Sequence, residues 1–585
     1  MPGNAFINKR NEFEILRAQL RIERNSFISH WRDITENIMP RRGRFYSTDN
    51  NKGDKRNQKI VDSTATMALR TLRSGMMGGI TSPARPWFRL TTSNPTFSEN
   101  GAVKEWLEQV SDRMSTVFLK SNLYNVLPIV YGDLGGVGTS CMFIEEDFDE
   151  VIRAYPFPVG TYYIANDHKL KVNTFIREFR MTVRQVVEKF GIDAETRNIK
   201  WDNISSVVQN LWKNNQTEAW IEIAHVIKPN SDYDPSKKTN KFKKFISVYY
   251  ELGYTGASTA NTNYLGGALD NGKYLRMEGY DIFPVLAPRW EISAEDVYGT
   301  SCPGMTALGD IKQLQVGEKR ALQAIDKMVN PPMIGPTSLR NAKVSILPGD
   351  ITFVDERDNQ GGFRPAHEVR FDVNAMEAKQ QQVRQRISRS FYEDLFLMLA
   401  QSDRRQITAR EIDERHEEKL LALGPVLEQL NQDLLDPLID LVFSIMDKRG
   451  MLPPPPDEIA GTELKVEYIS IMAQAQKLNG LAGIERFTGY VGNLAQADPS
   501  TLDKVDMDKL VDIYGEVVSM PAGVVRTDED VEVLRDQRAE QQAAQAKAEQ
   551  DALAVQSAKT LSETKLDGDS ALDQAVEQAE SGALV

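Results

Sequence analysis

Hydrophobic residues follow helical spacing near the start of the chain, from residue 11 to residue 39. Pro40 ends the pattern, because proline lacks the backbone N–H that a helix interior needs. Beyond a basic turn, Asp62 is a suitable N-cap for a second helix, whose many small residues predict close packing. The apolar face of the first helix consists of Phe13, Leu16, Leu20, Phe27, Trp31, Ile34 and Ile38.

Helical and strand-like segments alternate from residue 101 to about residue 290. Residues 101–131 have helical patterns, and CMFIEED, which begins at Cys141, is predicted to be a strand. The runs AWIEIAHVI and VYYELGYT are rich in β-branched and aromatic residues, as strands are. Between CMFIEED and AWIEIAHVI, the segment TVRQVVEKFG predicts a helix that ends at Gly191. The pattern therefore predicts an α+β region.

Two long helices with a small β segment between them are predicted in the middle of the chain. The first helix starts near Gly304 and stops at Pro331-Pro332, and the second runs from about Asp372 to Ala400. Between them VSILPGDITFV alternates around a Pro-Gly turn, which is typical of a hairpin. The apolar stripes are Ile311, Leu314, Leu322, Ile325 and Val329 on the first helix, and Met376, Val383, Ile387 and Met398 on the second.

A polar loop over residues 401–407 leads into a third and longer helix. Thr408-Ala409-Arg410-Glu411 matches a capping box, and the helix runs to about Arg449, or about 60 Å at ~1.5 Å per residue. Gly424-Pro425 predicts a kink. The second half repeats apolar residues close to heptad spacing, at Leu427, Leu430, Leu434, Leu438, Leu441 and Ile445.

The C-terminal part differs in composition from the rest of the chain. A stiff PPPP spacer at residues 453–456 precedes a small helical module predicted over residues 462–525. From Asp528 onward the sequence is Ala/Gln-rich and holds 14 acidic against 5 basic residues, so its net charge is −9. The whole chain carries −13, which leaves −4 for the remainder. We expect the last stretch to be helix-forming and its final ~20 residues to be disordered.

Chain length, apolar runs and net charge exclude several classes of protein. A chain of 585 residues is too long for one compact core, so several domains or an elongated subunit are expected. No segment approaches the ~20 apolar residues of a membrane span, and the N-terminus lacks the apolar core of a secretory signal. We therefore expect a protein made and kept in a cytoplasm, without a membrane partner. The chain also lacks the basic excess of a protein that grips DNA tightly.

Metal and redox motifs are missing from the sequence. Cys141 and Cys302 are too far apart for a CxxC motif, and the chain has five scattered histidines. His416-Glu417-Glu418 is not HExxH, because no second histidine follows at helical spacing. We therefore predict no metal and no cofactor.

Candidate nucleotide and catalytic motifs also have simpler interpretations. Gly135-Gly136-Val137-Gly138 resembles a dinucleotide fingerprint, but here a helix comes first and a strand follows, so a helix-to-strand turn is predicted. No GxxxxGK[ST] or GxSxG occurs, which argues against an ATP-driven motor or a serine hydrolase. The acidic run at 145–149 is typical of a solvated strand edge and leaves a two-metal nuclease open. The chain is predicted not to be an enzyme.

The stretch GGITSPARPWFRL, residues 78–90, is predicted to be a structural corner. Its glycines are expected to end the second helix, and its prolines to turn the chain. We expect Trp87 and Phe88 to anchor a core, and Arg85 and Arg89 to contact a neighbouring subunit.

Several blocks of the sequence resemble the head-to-tail connecting, or portal, proteins of short-tailed bacteriophages. The most specific are SPARPWF and RWE…YG…LGDIK, the second of which contains Trp290. The resemblance spans roughly residues 12–460 and fades beyond. Its blocks are HWRDITENIMPRRGRF at 30–45, DSTATMALRTLRSGMMGGITSPARPWFRL at 62–90, REFRMTVRQVVEKFG at 177–191, FPVLAPRWEISAEDVYGTSCPGMTALGDIKQL at 283–314 and ITAREIDERHEEKLLALGP at 407–425.

The resemblance implies a mainly helical α+β fold, in an elongated subunit of a twelve-membered ring at one capsid vertex. The implied parts are an α+β wing at 1–303, a first stem helix at 304–332, a clip with a β-hairpin at 333–371, a second stem helix at 372–400, a tunnel loop at 401–407, a long kinked wing helix at 408–452, a helical crown at 453–527 and a partly disordered or barrel-forming tail at 528–585.

The implied function is a channel for genome packaging and ejection in the virion. The implied partners are double-stranded DNA, a separate terminase, major capsid and scaffolding proteins, tail adaptors and internal core proteins. The chain would be made in the host cytoplasm and act without catalysis. A tail adaptor or other ring component is the alternative, and a DNA-packaging enzyme is a more remote one.

Sparse positive charges are expected to face the DNA. In the tunnel loop these are Arg404 and Arg405, next to Gln401, because a ring would repeat them at one height. Stem residues are weaker candidates, since each could instead form a salt bridge between subunits: Lys312, Lys319, Arg384 and Arg386. A wall with few fixed cations would bind DNA weakly and let it slide.

Overall fold

The computed structural model describes residues 3–45, 56–92, 101–193, 198–237, 239–252, 274–293, 296–334, 364–365, 372–402, 423–456, 459, 464–469, 484, 487–495, 504–517, 528–563, 565–566 and 569–570. The chain divides into two compact units. The first comprises residues 1–89, 110–453 and 466–480, and the second residues 90–109, 454–465 and 481–585. The predicted class, α+β and mainly helical, is confirmed.

The helices are α1 (Gly3–Asn37), α2 (Thr64–Ile80), α3 (Gly101–Lys120), α4 (Leu123–Val137), α5 (Val183–Val186), α6 (Ser206–Lys213), α7 (Pro303–Thr306), α8 (Leu308–Val329), α9 (Val373–Ser390), α10 (Glu393–Ser402), α11 (Asp436–Lys448), α12 (Met507–Val517) and α13 (Asp528–Glu563). A π-helical turn at Val187–Gly191 continues α5, and another at Asn431–Leu435 precedes α11. Among the described residues, no helix has both the length and the apolar character that crossing a bilayer requires.

The strands are β1 (Phe88–Thr92), β2 (Cys141–Asp147), β3 (Val151–Phe157), β4 (Tyr162–Asn166), β5 (Val172–Thr182), β6 (Trp220–Pro229), β7 (Phe245–Glu251), β8 (Arg276–Tyr280), β9 (Val285–Leu286), β10 (Met333–Ile334), β11 (Arg364–Pro365), β12 (Leu464–Tyr468), β13 (Lys565–Leu566) and β14 (Asp569–Ser570). The largest sheet is antiparallel, in the order β4-β5-β6-β7-β8. A smaller antiparallel sheet has the order β3-β2-β9.

The five-stranded sheet is covered on both faces. Phe13 and Leu20 of α1 pack on one face, where Ile176 of β5 belongs to the same cluster. On the opposite face, residues of α5 and α6 such as Val183 and Val208 pack in a second cluster. Because both faces are buried, β7 has a nearly continuous apolar sequence, FISVYYE, instead of strict alternation.

Close packing around α2 confirms what its small residues predict. A Cβ on Gly75 would lie 2.2 Å from the ring of Phe396 in α10, so this glycine lets the ring reach the helix backbone. On the α4 side, a Cβ on Gly135 would lie 2.6 Å from Leu72. Helices α4 and α10 therefore both pack closely against α2.

Two predicted helix boundaries are wrong. The helix expected over 372–400 is two helices, because Phe391 is buried and Tyr392 has a positive φ of 55° between them. The break turns Phe396 toward α2. Helix α2 also continues through Gly78 and Gly79 to Ile80, so the glycines do not end it; Ile80 is buried, and Pro83 follows in the turn.

The long third helix is described from residue 423 onward. Its predicted apolar repeat is confirmed: Leu430, Leu434 and Leu438 have no exposed surface. The π-helical turn at Asn431–Leu435 inserts one residue into the helical repeat, a feature that often marks functional positions. The predicted capping box at 408–411 and the hairpin VSILPGDITFV lie outside the described residues, as does His416.

The second unit contains one very long helix. Helix α13 has 36 residues, or about 54 Å at ~1.5 Å per residue, and its described side chains are almost all exposed. Arg535 of α13 donates two hydrogen bonds to Asp508 of α12, at 2.7 and 2.8 Å. The tail is therefore helical as far as Glu563, and the residues expected to be disordered lie largely outside the described part.

Candidate functional site

The two predicted stem helices pack against each other, and both hold the residues that precede α2. Arg384 of α9 donates from Nε to Asp62 Oδ2 at 2.9 Å and from Nη2 to Glu318 of α8 at 2.5 Å. Gln315 of α8 accepts from the backbone N–H groups of Val61 and Asp62 and donates to the Asp62 carbonyl at 2.7 Å. Asp62 therefore connects α8, α9 and the start of α2.

Asp62 was predicted to be the N-cap of α2, but the N-cap residue is Ser63, which makes no side-chain capping hydrogen bond. The Oδ1 of Asp62 instead accepts from the backbone N–H of Thr64, the first residue of α2, at 2.8 Å. Burial alone would raise the pKa of the Asp62 carboxyl, but the hydrogen bonds from Thr64 and Arg384 outweigh it, so that pKa is lowered. The carboxylate is thus ionised at neutral pH and holds the Arg384 guanidinium.

The other predicted stem cations have acidic partners as well. Lys312 Nζ lies 2.5 Å from Asp33 of α1, and Arg386 donates to both oxygens of Asp310 at 2.7 and 3.1 Å. These pairs are about half exposed, so their contribution to stability is small. Within the part of the chain that the structure describes, Lys312, Arg384 and Arg386 thus pair inside one subunit, and the alternative of salt bridges between subunits stays a prediction.

Lys319 differs from these three residues. It is exposed on α8, and within the described ranges it has no ion pair. Four further exposed cations of the same two helices share this state and are not among the candidates that the sequence suggested: Arg320, Lys327, Lys379 and Arg389. Spacing along the helix could not have separated them from the paired cations, because Lys312, Arg384 and Arg386 also have no acidic residue three or four positions away.

The predicted apolar stripe of α8 is only half buried. Ile311 and Leu314 are 0% and 2% exposed, whereas the distal members Leu322, Ile325 and Val329 are 58%, 39% and 80% exposed. We call the exposed apolar side chains on one face of the distal half of this helix the α8 stripe; they are Leu322, Ile325, Met328 and Val329. Exposed apolar side chains that share a helix face are candidates for an interaction surface.

The tunnel-loop residues are only partly within the described structure. Gln401 lies in the last turn of α10, which continues to Ser402, so Gln401 and Ser402 are helical and not part of a loop as predicted. Arg404 and Arg405 lie outside the described residues. Their place next to DNA stays a prediction.

The corner formed by residues 81–90 lies against the core of the first unit. Trp87 and Phe88 are each 2% exposed, and Trp87 stacks on Phe118 with ring centroids 5.9 Å apart. The indole Nε1 of Trp87 donates to the hydroxyl of Tyr124 at 3.1 Å. Arg85 is exposed and Arg89 half-buried, and their contact with a neighbouring subunit stays a prediction.

A buried arginine, Arg289, follows β9 and connects three segments of the first unit. Arg289 is 1% exposed and donates to Asp433 in the π-helical turn, from Nε and Nη2 at 3.0 Å each. Its remaining donors reach Asn166 at 3.2 Å and the Leu170 carbonyl at 2.9 Å. Trp290 beside it is buried and donates from its backbone N–H to the Gly138 carbonyl. The sequence pattern indicated Trp290 and gave no sign of Arg289.

The GGVG segment is the predicted helix-to-strand turn. Gly138 ends α4 with φ +78°, and a Cβ there would lie 2.6 Å from the Gly299 carbonyl oxygen. Cys302 donates from Sγ to the Gly136 carbonyl at 3.3 Å. The glycines thus let two backbone segments meet, and they form no phosphate cradle.

Neither cysteine is placed for redox or metal chemistry. Cys141 and Cys302 are both buried free thiols, and burial raises the pKa of the Cys302 thiol to about 12. Among the described residues, no group of three or more His, Cys, Asp or Glu side chains could hold a metal ion.

Comparisons with known proteins cover nearly the whole chain. The family model described as "Bacteriophage head to tail connecting protein" matches residues 10–525. The "Portal protein" of Salmonella phage epsilon15 is 49% identical over 556 residues, 95% of this chain and 96% of that protein. The "Probable portal protein" of Bordetella phage BPP-1 is 44% identical over 543 residues, 93% of each chain.

Proposed function

The chain belongs to the bacteriophage head-to-tail connecting protein family, and from this premise we propose how its parts act in a portal. Its function is that of a portal protein, the connector between head and tail of a phage. The close relatives are named portal proteins, which favours this function over that of a tail adaptor.

Helices α8 and α9 are the stem of this portal in our proposal. They pack side by side and are tied to each other by the Arg384–Glu318 and Arg386–Asp310 pairs. Strands β10 and β11 pair antiparallel. This pairing brings together the two ends of the segment that joins α8 to α9. That segment, residues 333–371, is then the clip, with the wing before it, a tunnel loop and wing helix after it, and a crown from residue 453.

The subunits form a closed ring of twelve, and the α8 stripe is the observation that carries this proposal. Leu322 and Val329 expose 58% and 80% of their surface in one subunit, which leaves apolar area in water. A neighbouring subunit would cover it. The same contact repeated around an axis gives a closed ring, as heterologous interfaces do when the rotation closes.

The channel guides DNA and holds it weakly. Duplex DNA carries about one negative charge per 1.7 Å of helix axis, and each basic contact adds affinity that salt weakens. Lys312, Arg384 and Arg386 are each neutralised by an acidic partner, so three of the eight cations of α8 and α9 contribute little to phosphate binding. Lys319, together with Arg404 and Arg405 of the loop, provides the sparse positive charge that centres the duplex.

The protein works without catalysis or cofactor, and its partners act on it from outside. A terminase docks on the clip and drives DNA inward, and tail adaptors occupy the same face afterwards. Major capsid, scaffolding and internal core proteins surround the wing and crown. The subunit is made in the host cytoplasm and ends at one capsid vertex of the virion.

A charge placed in the α8 stripe tests this proposal. Leu322→Asp with Val329→Asp should prevent ring closure, because the neighbouring subunit would have to bury two unpaired carboxylates. The matched variant Leu322→Met with Val329→Ile keeps the surface apolar and should assemble as the unmodified chain does. Native mass spectrometry of the purified full chains gives the subunit number. Normal rings from the aspartate variant would overturn the proposed interface.

A further inference from the structure

A cavity of about 490 Å³ lies in the first unit, where β5 passes the β2–β3 hairpin and the helical turn that follows β5. Four aromatic and five charged residues line it, together with Met181 and Gln185. Those used below are Phe143, Tyr155, Phe179, Tyr249, Arg177 and Glu145. None of them belongs to the stem, the tunnel loop or the α8 stripe.

Arg177 is held between two aromatic rings at this cavity. Its guanidinium carbon lies 4.2 Å from the ring centroid of Phe157 and 4.0 Å from that of Phe179. Cation–π contacts of this kind fix the plane of a guanidinium and leave its N–H edge free to donate. Burial lowers the pKa of Arg177 to about 10, yet the group is still charged at neutral pH.

Two nearby acidic residues pair with other cations. Glu145 lies 3.9 Å from Lys189, and Glu222 accepts two hydrogen bonds from Arg180 at 2.7 and 3.1 Å. Within the described ranges, the Arg177 guanidinium has neither a hydrogen bond nor an ion pair, and Glu145 acts on its charge only at longer range. Arg177 is half-buried, so its guanidinium is incompletely hydrated and its N–H groups are available to an anion.

We propose that this cavity binds a carboxylate attached to an aromatic or aliphatic group, with Arg177 as the anchoring residue. The planar fork of an arginine matches a carboxylate, which accepts two parallel N–H bonds. One negative charge suffices to balance Arg177. A phosphate would meet Glu145 and Glu188 as well as the cations Arg180 and Lys189 of the lining, so inorganic phosphate is included as a competing probe. The walls of Phe143, Tyr155 and Tyr249 would cover the apolar part of the ligand.

Two sources can supply this chemistry, a free organic acid or an acidic side chain of a docking protein. We therefore use two probes with the full-length chain. Sodium benzoate represents the free acid, and the peptide acetyl-Phe-Glu-Phe-amide represents the side chain, with its glutamine analogue as the blank. The thermal midpoint is followed as each probe is titrated, at ionic strength matched with sodium chloride, because a ligand of the native state raises it.

The variant Arg177→Met removes the charge and keeps an unbranched apolar stem. Its matched control is Arg184→Met, since Arg184 lies on the next element, is exposed and pairs with Glu218. We expect benzoate, the glutamate peptide or both to raise the midpoint of the unmodified chain and of the control. The apparent affinity should fall at least about tenfold in Arg177→Met, because that variant cannot form the charge-assisted pair.

A second readout separates binding from a structural role. Without ligand, Arg177→Met should have a thermal midpoint close to that of the unmodified chain, because it loses two cation–π contacts but no hydrogen bond or ion pair. A response to the peptide alone identifies a protein partner, and a response to benzoate alone a free acid. No response to either probe, an equal response in Arg177→Met, or a stronger response to inorganic phosphate would overturn the proposal.

Discussion

Arg289 and Asp433 are joined by two parallel hydrogen bonds of 3.0 Å, although 144 positions separate them in the chain. Both are almost fully buried, with side chains 1% and 10% exposed. The remaining Arg289 donors bond to Asn166 and to the Leu170 carbonyl. One guanidinium therefore fixes the π-helical turn of the long helix against the β4–β5 connection.

Removing one partner of this pair should be strongly destabilising. Arg289→Met leaves the Asp433 carboxylate buried without a counter-charge, which costs about 3–5 kcal/mol. Adding Asp433→Leu should recover most of that stability, because a buried ion pair and an apolar pair of similar volume are often equivalent. The urea midpoint of the first unit measures both changes.

The exposed pair Asp508–Arg535 of the second unit provides the control. Asp508→Asn should shift the unfolding midpoint far less than Arg289→Met does. A double variant at 289 and 433 that is no more stable than the single one would contradict this role of the buried pair.

Two glycines of α2 offer a matched test of close packing. Gly75→Ala places a methyl group 2.2 Å from the Phe396 ring, so it should destabilise the protein by about 1–3 kcal/mol through overpacking. Gly78→Ala meets nothing within 4 Å and should be neutral or stabilising by up to about 1 kcal/mol. Denaturant unfolding of the two variants measures the difference, and equal effects would show that α10 does not pack at Gly75.

A buried histidine should make stability depend on pH. His225 is 1% exposed, its ring stacks on Tyr249 at 3.8 Å, and Nε2 lies 2.9 Å from the Ser247 hydroxyl. Burial, and then the charges of Arg177, Lys189 and Arg276, lower the pKa of His225 well below its usual value. The folded state therefore keeps His225 neutral where the unfolded chain would bind a proton.

The direction of this pH dependence follows from the pKa of histidine in the unfolded chain, which is about 6.5. Stability from this group is complete above that pH and declines as pH falls, by up to about 1.4 kcal/mol per pH unit, until the folded pKa is reached. His225→Gln should remove this slope, measured as unfolding free energy between pH 6.5 and 5.5. His168→Gln, at an exposed position, should leave the slope unchanged. A persistent slope in His225→Gln would assign it to another group.

Local periodicity was sufficient for much of the fold. The apolar spacing of residues 11–39 predicted α1, and the order of elements around Gly138 excluded a dinucleotide loop. The break between α9 and α10 could not be predicted, because Phe391 and Tyr392 continue the helical pattern and contain no glycine or proline. The packing of Phe396 against Gly75 determines that break, and it is a contact between distant segments.

Site residues were harder to predict for the same reason. Residue type and position in the predicted stem helices selected Lys312, Arg384 and Arg386 as channel cations, but partners far along the chain neutralise them. Neither Arg289 nor Arg177 was selected, because nothing in the neighbouring sequence distinguishes an arginine that is buried from one that is exposed. The role of an ionisable side chain depends on its tertiary neighbours, which single-sequence patterns do not contain.

The assembled ring should bind duplex DNA weakly, with a shallow dependence of log K on log salt. Lys319→Gln with Arg320→Gln removes exposed unpaired cations and should reduce the slope by about 1 for each phosphate that the ring no longer binds. The matched pair Asp310→Asn with Arg386→Gln removes an internal ion pair and should change the slope little. Fluorescence anisotropy at several salt concentrations measures the slopes, and a steep slope in the unmodified ring would contradict weak binding.

Negative-stain imaging of the purified full-length chain is the decisive test of a portal ring. We predict closed rings of uniform subunit number, with a central opening wide enough for a DNA duplex to pass. Particles that stay monomeric at high protein concentration, or rings closed at the centre, would contradict a DNA channel built from this chain.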